Sequence, residues 1–129
     1  PILMEKVARN VLKHRRRFRA LVLVADQSPG ERDNVYWTDW LNQPTAFFTG
    51  PATIAQLMHF PVMFARCRRK SRGRYHLSLI PIVETPGQLT EEGIIEAYIR
   101  AAEETIRDEP ESFLWSNRRW KHQPPADQA

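Results

Sequence analysis

The feature that most constrains the fold is an uninterrupted apolar run at residues 20–25, with the sequence ALVLVA. The run shows no alternation of apolar and polar residues, which is typical of a strand buried on both faces and therefore of a parallel sheet covered by helices. It ends at the polar residues 26–30, and ligands of open α/β sheets usually bind beside the carboxyl ends of the strands. We therefore expect an α/β fold with a mostly parallel central sheet, flanking helices and a ligand-binding edge at residues 26–30.

Three segments have the features of helices. Residues 2 to about 17 carry apolar side chains at helical spacing and end in a basic run. Pro51 stands at a favoured first position of a short helix. Thr90 is predicted to cap a longer helix, which has Glu91 and Glu92 in its first turn and ends before Pro110.

One antiparallel hairpin is predicted at residues 61–82, with its turn at residues 69–73. In its second strand, three large side chains two positions apart share one face: Tyr75, Leu77 and Leu79. Residues 31–50 show no clear periodicity, although they hold an aromatic cluster. The cluster comprises Tyr36, Trp37, Trp40, Phe47 and Phe48.

Length and composition indicate one domain with a core. The chain has 129 residues, of which 42% are hydrophobic, and a net charge of +4 that favours anionic partners. Its one cysteine, Cys67, excludes an internal disulfide. The uncharged stretch at residues 40–65 is interrupted by prolines and polar residues, so we interpret it as soluble core rather than a transmembrane helix. Residues 1–122 form the predicted domain, and residues 123–129 form a polar tail.

The segment from Glu109 to Lys121 places Trp115 and Trp120 around the paired Arg118 and Arg119. Guanidinium groups offer planar donor forks for phosphate or carboxylate, and tryptophan suits a boundary between apolar and aqueous surroundings. Two interpretations stay open. The segment either binds a phosphorylated, partly apolar molecule at a membrane surface, or closes the fold with tryptophans in the core and arginines in solvent.

Basic residues concentrate at residues 14–19, 66–74 and 118–121. Such clusters are solvated faces, or they bind anionic lipid, a phosphorylated substrate or nucleic acid. The chain lacks zinc-finger spacing, an RNP aromatic motif and a helix-turn-helix pattern, so nucleic acid is not among the predicted partners. A basic nucleic-acid-binding module stays open as an alternative function. The scattered His14, His59, His76, His122 and Cys67 predict no metal site.

Several segments, taken in order, resemble one known family. Residues 20–27 are followed by Ala46-Phe47-Phe48-Thr49-Gly50, by Phe60-Pro61-Val62-Met63, by the basic hairpin, and by Leu114-Trp115-Ser116-Asn117-Arg118-Arg119-Trp120-Lys121. In this order they resemble the carboxyl-terminal half of the bacterial lipid A biosynthesis late acyltransferases, the lauroyl and myristoyl transferases of the lysophospholipid acyltransferase superfamily. The resemblance covers residues 9 to 122.

The resemblance implies an enzyme that moves a fatty acyl chain from a thioester donor, on acyl-carrier protein or coenzyme A, to a hydroxyl of a lipid A precursor or similar glycolipid. The parent enzyme would act at the cytoplasmic face of the bacterial inner membrane, with the lipid, the anionic membrane surface and the donor carrier as partners. Another glycerolipid or aminolipid acyltransferase is the alternative within the superfamily. No bound cofactor is implied.

The catalytic His-x4-Asp/Glu pair of this family is not found. His122 and Asp127 have the spacing, but Pro124 and Pro125 lie between them. We therefore expect no catalytic residue in this chain, and we expect a soluble fragment that is inactive alone. Pairing between copies through the open sheet edge of such a fragment is expected as well. Asn117 stands where the family's final motif usually has histidine.

By resemblance, seven residues are assigned to the substrate side. Asp26 and Gln27 would organise polar groups of the acceptor. Phe48 and Gly50 would let a backbone amide approach the headgroup phosphate or a developing oxyanion. Pro61 would shape the strand that follows. Arg118 and Arg119 would clamp a phosphate or fix the terminal segment to the sheet.

Overall fold

The structure is a computed structural model that describes residues 10, 11, 13, 14, 20–30 and 33–124. In chain order, the elements are strands β1 (Val35–Trp40) and β2 (Gln43–Phe48), helix α1 (Gly50–Met58), strands β3 (Val62–Ser71) and β4 (Arg74–Val83), and helix α2 (Glu91–Asp108). Single turns of 3-10 helix lie at Pro86–Gln88 and Pro110–Ser112, on either side of α2.

Strands β1 and β2 form an antiparallel hairpin in the region for which the sequence predicted no element. The register runs from Val35 opposite Phe48 to Trp40 opposite Gln43, so only Leu41 and Asn42 make the turn. Both have left-handed backbone, with φ of 52° and 62°, which is the conformation that two-residue hairpin turns of type I′ require. The Leu41 N–H donates to the Glu103 carboxylate of α2 at 3.2 Å, which holds the turn against that helix.

Strands β3 and β4 form a second, longer antiparallel hairpin, which confirms the prediction for residues 61–82. The pairing runs from Val62 opposite Val83 to Ser71 opposite Arg74, and Gly73 takes the left-handed conformation at the turn with φ of 72°. The middle of this hairpin is tied to α2 because Arg66 and Arg68 both donate to the Asp108 carboxylate.

The two predicted helices within residues 50–108 are confirmed. Helix α1 has its proline in the first turn and ends where His59 turns left-handed with φ of 53°. Helix α2 begins after Thr90, whose hydroxyl oxygen accepts from the Gly93 N–H at 3.1 Å, and the acidic first turn complements the helix dipole.

The core lies where the first hairpin and α1 meet α2. The apolar stripe of α2 is buried along Ile94, Ile95 and Ile99. Trp40 and Phe47 pack edge-to-face against each other at 5.5 Å between ring centres. The remaining buried members of this core are Ala52, Ala55 and Val83.

The prediction of a mostly parallel central sheet is wrong. The described residues form two separate two-stranded antiparallel sheets and no parallel pairing. Residues 20–25 have no regular secondary structure, and Val22 and Val24 are 91% and 65% exposed. An apolar run shows that both faces of a segment favour burial, but a parallel sheet also needs neighbouring strands from elsewhere in the chain. Here the strands of each hairpin pair only with each other.

The helix predicted at residues 2–17 falls mostly outside the described residues. Asn10, Val11 and Lys13 have helical backbone, and Val11 is buried. Among the helices that the structure describes, none has the length and apolar character needed to cross a membrane.

Candidate functional site

Two segments far apart in sequence are hydrogen-bonded to each other. The Ser28 hydroxyl donates to the Arg118 carbonyl at 3.2 Å and also contacts the Arg119 carbonyl, 91 positions away. The His122 Nε2 atom lies 2.9 Å from the Pro29 carbonyl, which accepts when that nitrogen is protonated. We call residues 26–30 with residues 118–122 the loop–tail site. These bonds hold the predicted ligand-binding loop against the terminal arginine pair.

Arg119 fixes the tail to β2. Its side chain is 2% exposed, and its Nη2 atom donates to the Ala46 carbonyl at 2.7 Å. The guanidinium carbon lies 4.4 Å from the centre of the Phe47 ring and 5.5 Å from that of Trp40. Aromatic faces attract a cation, and this attraction is strongest where water is excluded. Arg119 therefore has the contacts of a residue that anchors the tail.

Trp120 provides the second anchor. Its Nε1–H donates to the Thr45 hydroxyl at 2.8 Å, and its ring packs 6.0 Å from that of Trp40. Trp115 is exposed instead, with its ring 4.9 Å from Phe113. The interpretation with tryptophans in the core and arginines in solvent therefore fits Trp120 and Arg118 only. Arg119 is buried and Trp115 is exposed, opposite to what it predicts.

Asp26 influences two groups beneath the loop electrostatically. Burial and, to a smaller degree, the Asp26 charge raise the pKa of Tyr98 well above its usual range, so the phenol is neutral at physiological pH. Burial lowers the pKa of Arg119, and its electrostatic interactions with Tyr98 and Asp26 oppose that change. Arginine stays protonated in proteins, so the site combines an exposed carboxylate, a buried cation and a neutral phenol.

The seven predicted substrate-side residues do not all lie together. Asp26, Gln27, Arg118 and Arg119 belong to the loop–tail site, and of these four only Arg119 is buried. Phe48 is half-buried at the end of β2, one position after Phe47, whose ring contacts Arg119.

Gly50 and Pro61 are exposed near the two ends of α1. In the part of the chain that the structure describes, no hydrogen bond or ion pair joins either residue to the loop–tail site. A Cβ atom at Gly50 would meet only the Phe48 ring, at 4.0 Å, so the fold itself leaves space there.

Sequence reasoning did not single out Ser28, Tyr98, Thr45 or His122 as contributors to this site. Tyr98 lies within the helix predicted after Thr90, and helical spacing alone gives its hydroxyl no role. Ser28 precedes Pro29, and Ser-Pro is a turn signal. That signal predicts a bend but not its partner, because hydrogen bonds to the tail depend on the tertiary fold.

A shallow surface depression without room for a water molecule borders the loop–tail site. It is lined by Pro44, Thr45, Ala46, Arg119, Trp120 and His122. Among the described residues, no group of three or more His, Cys, Asp or Glu side chains could hold a metal ion.

The family model for bacterial lipid A biosynthesis acyltransferases matches residues 3–122, the main part of the chain. The chain belongs to this family. A search of curated proteins gives no match, and neither does a search of solved structures. The family resemblance read from the residues is confirmed. The match includes both segments of the loop–tail site, so these lie within the acyltransferase sequence of the chain.

Proposed function

We propose that this chain contributes the acceptor-binding part of an acyltransferase that moves a fatty acyl chain from a thioester donor to a hydroxyl of a lipid A precursor or similar glycolipid. The family match over residues 3–122, which spans the docked loop–tail site, carries this proposal. The enzyme would work at the cytoplasmic face of the bacterial inner membrane, with acyl-carrier protein or coenzyme A as the carrier of the donor.

The loop–tail site suits a phosphorylated, hydroxyl-rich headgroup. Arg118 is exposed, and its guanidinium would donate to phosphate oxygens. The exposed Asp26 carboxylate and Gln27 amide would accept from and donate to sugar hydroxyls. The Ser28 bonds to the tail keep loop and arginine together before a ligand arrives, which reduces the ordering cost of binding.

Phe48 and Gly50 would act at a second contact. Gly50 begins α1, where backbone N–H groups lack helical acceptors, and its missing side chain leaves room for an anionic oxygen. Pro61 would set the direction of the chain as it enters β3. This assignment keeps Asp26, Gln27, Phe48, Gly50 and Arg118 as binding groups, with Arg119 as the anchor of the tail and Pro61 as a shaping residue. None of the seven has a proton-transfer role.

Acyl transfer needs a group that removes the proton from the acceptor hydroxyl. The family pair His-x4-Asp/Glu is not found in the 129 residues, so we expect the chain alone to bind acceptor without turning it over. The first measurement is an acyl-transfer assay of the chain with a thioester donor. Release of thiol together with acylated glycolipid would contradict the expected inactivity.

The acceptor class is tested by binding in detergent solution. We expect the chain to bind a lipid A precursor more tightly than a lysophospholipid or an uncharged glycolipid. Arg118→Gln should weaken binding of the phosphorylated acceptor about tenfold, because a charge-assisted hydrogen bond contributes about 1.5–3 kcal/mol. Lys13→Gln, which removes an exposed cation outside the site, is the control. Equal affinity for all three lipids would remove the support for a lipid A acceptor.

A further inference from the structure

One whole face of the β3–β4 hairpin is exposed and mainly apolar. The register places Met63 opposite Pro81, Ala65 opposite Leu79, and Cys67 opposite Leu77. Because side chains alternate across a strand, these six residues and Tyr75 share one side of the sheet. We call them the outer face. All seven are exposed, with Tyr75 at 66%, Leu77 at 62% and Leu79 at 61%.

The opposite side of the hairpin is held by α2, so the outer face cannot turn inward. The Phe64 ring lies 5.9 Å from that of Tyr98. Arg66 and Arg68 form ion pairs with Asp108, and Arg68 also reaches Glu109 at 3.1 Å. The cations on this inner side are therefore neutralised by α2 and the residue after it.

The turn end of the hairpin carries positive charge without neighbouring acids. Arg69, Lys70, Arg72 and Arg74 are all exposed, and we call them the cationic tip. Within the residues that the structure describes, no salt bridge involves any of the four. The sequence contains no Asp or Glu between Asp39 and Glu84, so the whole hairpin lacks negative charge. The outer face and the cationic tip meet at Tyr75, which follows Arg74.

We propose that the outer face lies on an anionic lipid bilayer surface, with its leucines and Met63 at the boundary between headgroups and acyl chains and the cationic tip on lipid phosphates. The positive charge of the hairpin favours an anionic bilayer, because each Lys or Arg near an anionic leaflet strengthens binding. Tyr75 suits the boundary between the apolar and polar layers. A large exposed apolar face is typical of an interaction site.

The inference rests on the proposed function, in which the substrate is a lipid, and adds the surface by which the chain would reach it. A second copy covering the outer face is the competing arrangement. Stacking two such faces would bring together hairpins that carry only positive charge, whereas a bilayer with anionic headgroups offers both apolar contact and counter-charge.

The test is sedimentation of the 129-residue chain with vesicles, in the absence of acyl donor and acceptor. We expect binding to vesicles of an equal mixture of phosphatidylcholine and phosphatidylglycerol, and much weaker binding to phosphatidylcholine alone. Arg72→Gln should lower the partition coefficient about fivefold at low salt, since one cation near an anionic leaflet contributes on that order. Lys13→Gln is the matched control and should leave the coefficient unchanged.

The apolar contribution is tested with the double substitution Leu77→Ser and Leu79→Ser, which should reduce binding at least tenfold. The matched control is Leu57→Ser with Leu114→Ser, two exposed leucines away from the hairpin. Circular dichroism checks that each variant folds. The inference would be overturned if both double substitutions reduced vesicle binding equally, or if the chain bound the two vesicle types equally.

The unaltered chain offers a second readout. Cys67 is its one cysteine and lies exposed on the outer face, so it can carry an environment-sensitive fluorophore. A blue shift with anionic vesicles is expected. A blue shift that depends on protein concentration and not on vesicles would instead assign the outer face to a second copy. The vesicle test contains no acceptor, so its result does not depend on the proposed function. Equal affinity for the three lipids together with retained vesicle binding would contradict the proposed function alone, whereas selective acceptor binding without vesicle binding would contradict this inference alone.

Discussion

The guanidinium carbon of Arg119 lies 4.4 Å from the centre of the Phe47 ring, inside the protein. The same side chain donates to the Ala46 carbonyl at 2.7 Å, so one residue of the tail binds both a side chain and the backbone of β2. Within the described part of the chain, no carboxylate pairs with this cation. The aromatic ring and the carbonyl are therefore its stabilising contacts, and Arg119 is a structural anchor beneath the exposed Arg118.

Arg119→Ala is predicted to lower the free energy of unfolding by about 3–5 kcal/mol, because it leaves a buried carbonyl without its donor and opens a cavity beside two aromatic rings. Urea denaturation followed by tryptophan fluorescence measures the change. Arg118→Ala, which alters an exposed neighbour, should change stability by less than about 0.5 kcal/mol. Similar losses in both variants would show that Arg119 is not the anchor.

Ser28→Ala is predicted to weaken the contact between the loop and the tail without unfolding the chain. It removes the hydroxyl that contacts the Arg118 and Arg119 carbonyls, at a cost of about 1 kcal/mol in stability. Hydrogen exchange should increase at residues 26–30 and 118–122 while α2 keeps its protection. Ser71→Ala, at the distant hairpin turn, is the control. If Ser28→Ala increased exchange at that turn as much as at residues 26–30, the effect would not be local.

Glu103 is predicted to make stability depend on acidic pH. The hydrogen bond from Arg107, helped by the Leu41 N–H and by the charges of Arg107 and Arg100, lowers its pKa in the folded chain, while partial burial opposes this. The unfolded state binds the proton more readily. The stabilisation is therefore complete above the ordinary pKa near 4.5 and is lost as pH falls below it toward the folded pKa.

Glu103→Gln should accordingly cost about 1–2 kcal/mol at neutral pH and progressively less in acid. Thermal unfolding of both proteins across the acidic range measures this difference. Glu104→Gln, at the exposed neighbouring position, is the control and should follow the parent at each pH. A difference between parent and Glu103→Gln that stays constant into acid would rule out a charge-dependent role.

Thr90→Ala is predicted to destabilise α2 by about 1 kcal/mol, since the Gly93 N–H loses its side-chain acceptor at the helix start. Thr90→Ser keeps the hydroxyl and should retain most of the stability. Denaturant midpoints of the three proteins provide the comparison. Equal midpoints for the alanine and serine variants would show that the cap does not contribute.

Much of the fold is predictable from short-range patterns. Thr90 with its acidic first turn, Pro51, and the alternation of Tyr75, Leu77 and Leu79 each report a local preference that the tertiary structure keeps. The β1–β2 hairpin gives no such signal because Leu41 occupies a turn position where glycine or asparagine is usual. The apolar run at residues 20–25 wrongly predicted a parallel sheet, because the partners of a strand are set by distant segments.

The candidate site is predictable only in part. The family resemblance places Asp26, Gln27, Arg118 and Arg119 on the substrate side, and the structure brings the segments that contain them together. The different surroundings of the two arginines could not be predicted, because adjacent residues of an irregular tail have no periodicity that assigns one to the core. Their burial depends on where Ala46 and Phe47 lie.

The left-handed turn at Leu41 and Asn42 has a consequence for the order of folding. Leucine in this conformation is unfavourable by about 1–2 kcal/mol, so the turn depends on the Glu103 carboxylate that receives the Leu41 N–H. We expect the first hairpin to close late, on an α2 that has already formed. Pulse-labelling hydrogen exchange during refolding should then find α2 amides protected before those of Tyr36 and Phe47, which pair across the first hairpin. Simultaneous protection would contradict this sequence of events. Any delay in forming that helix leaves an aromatic strand pair open to aggregation while the chain is being synthesised.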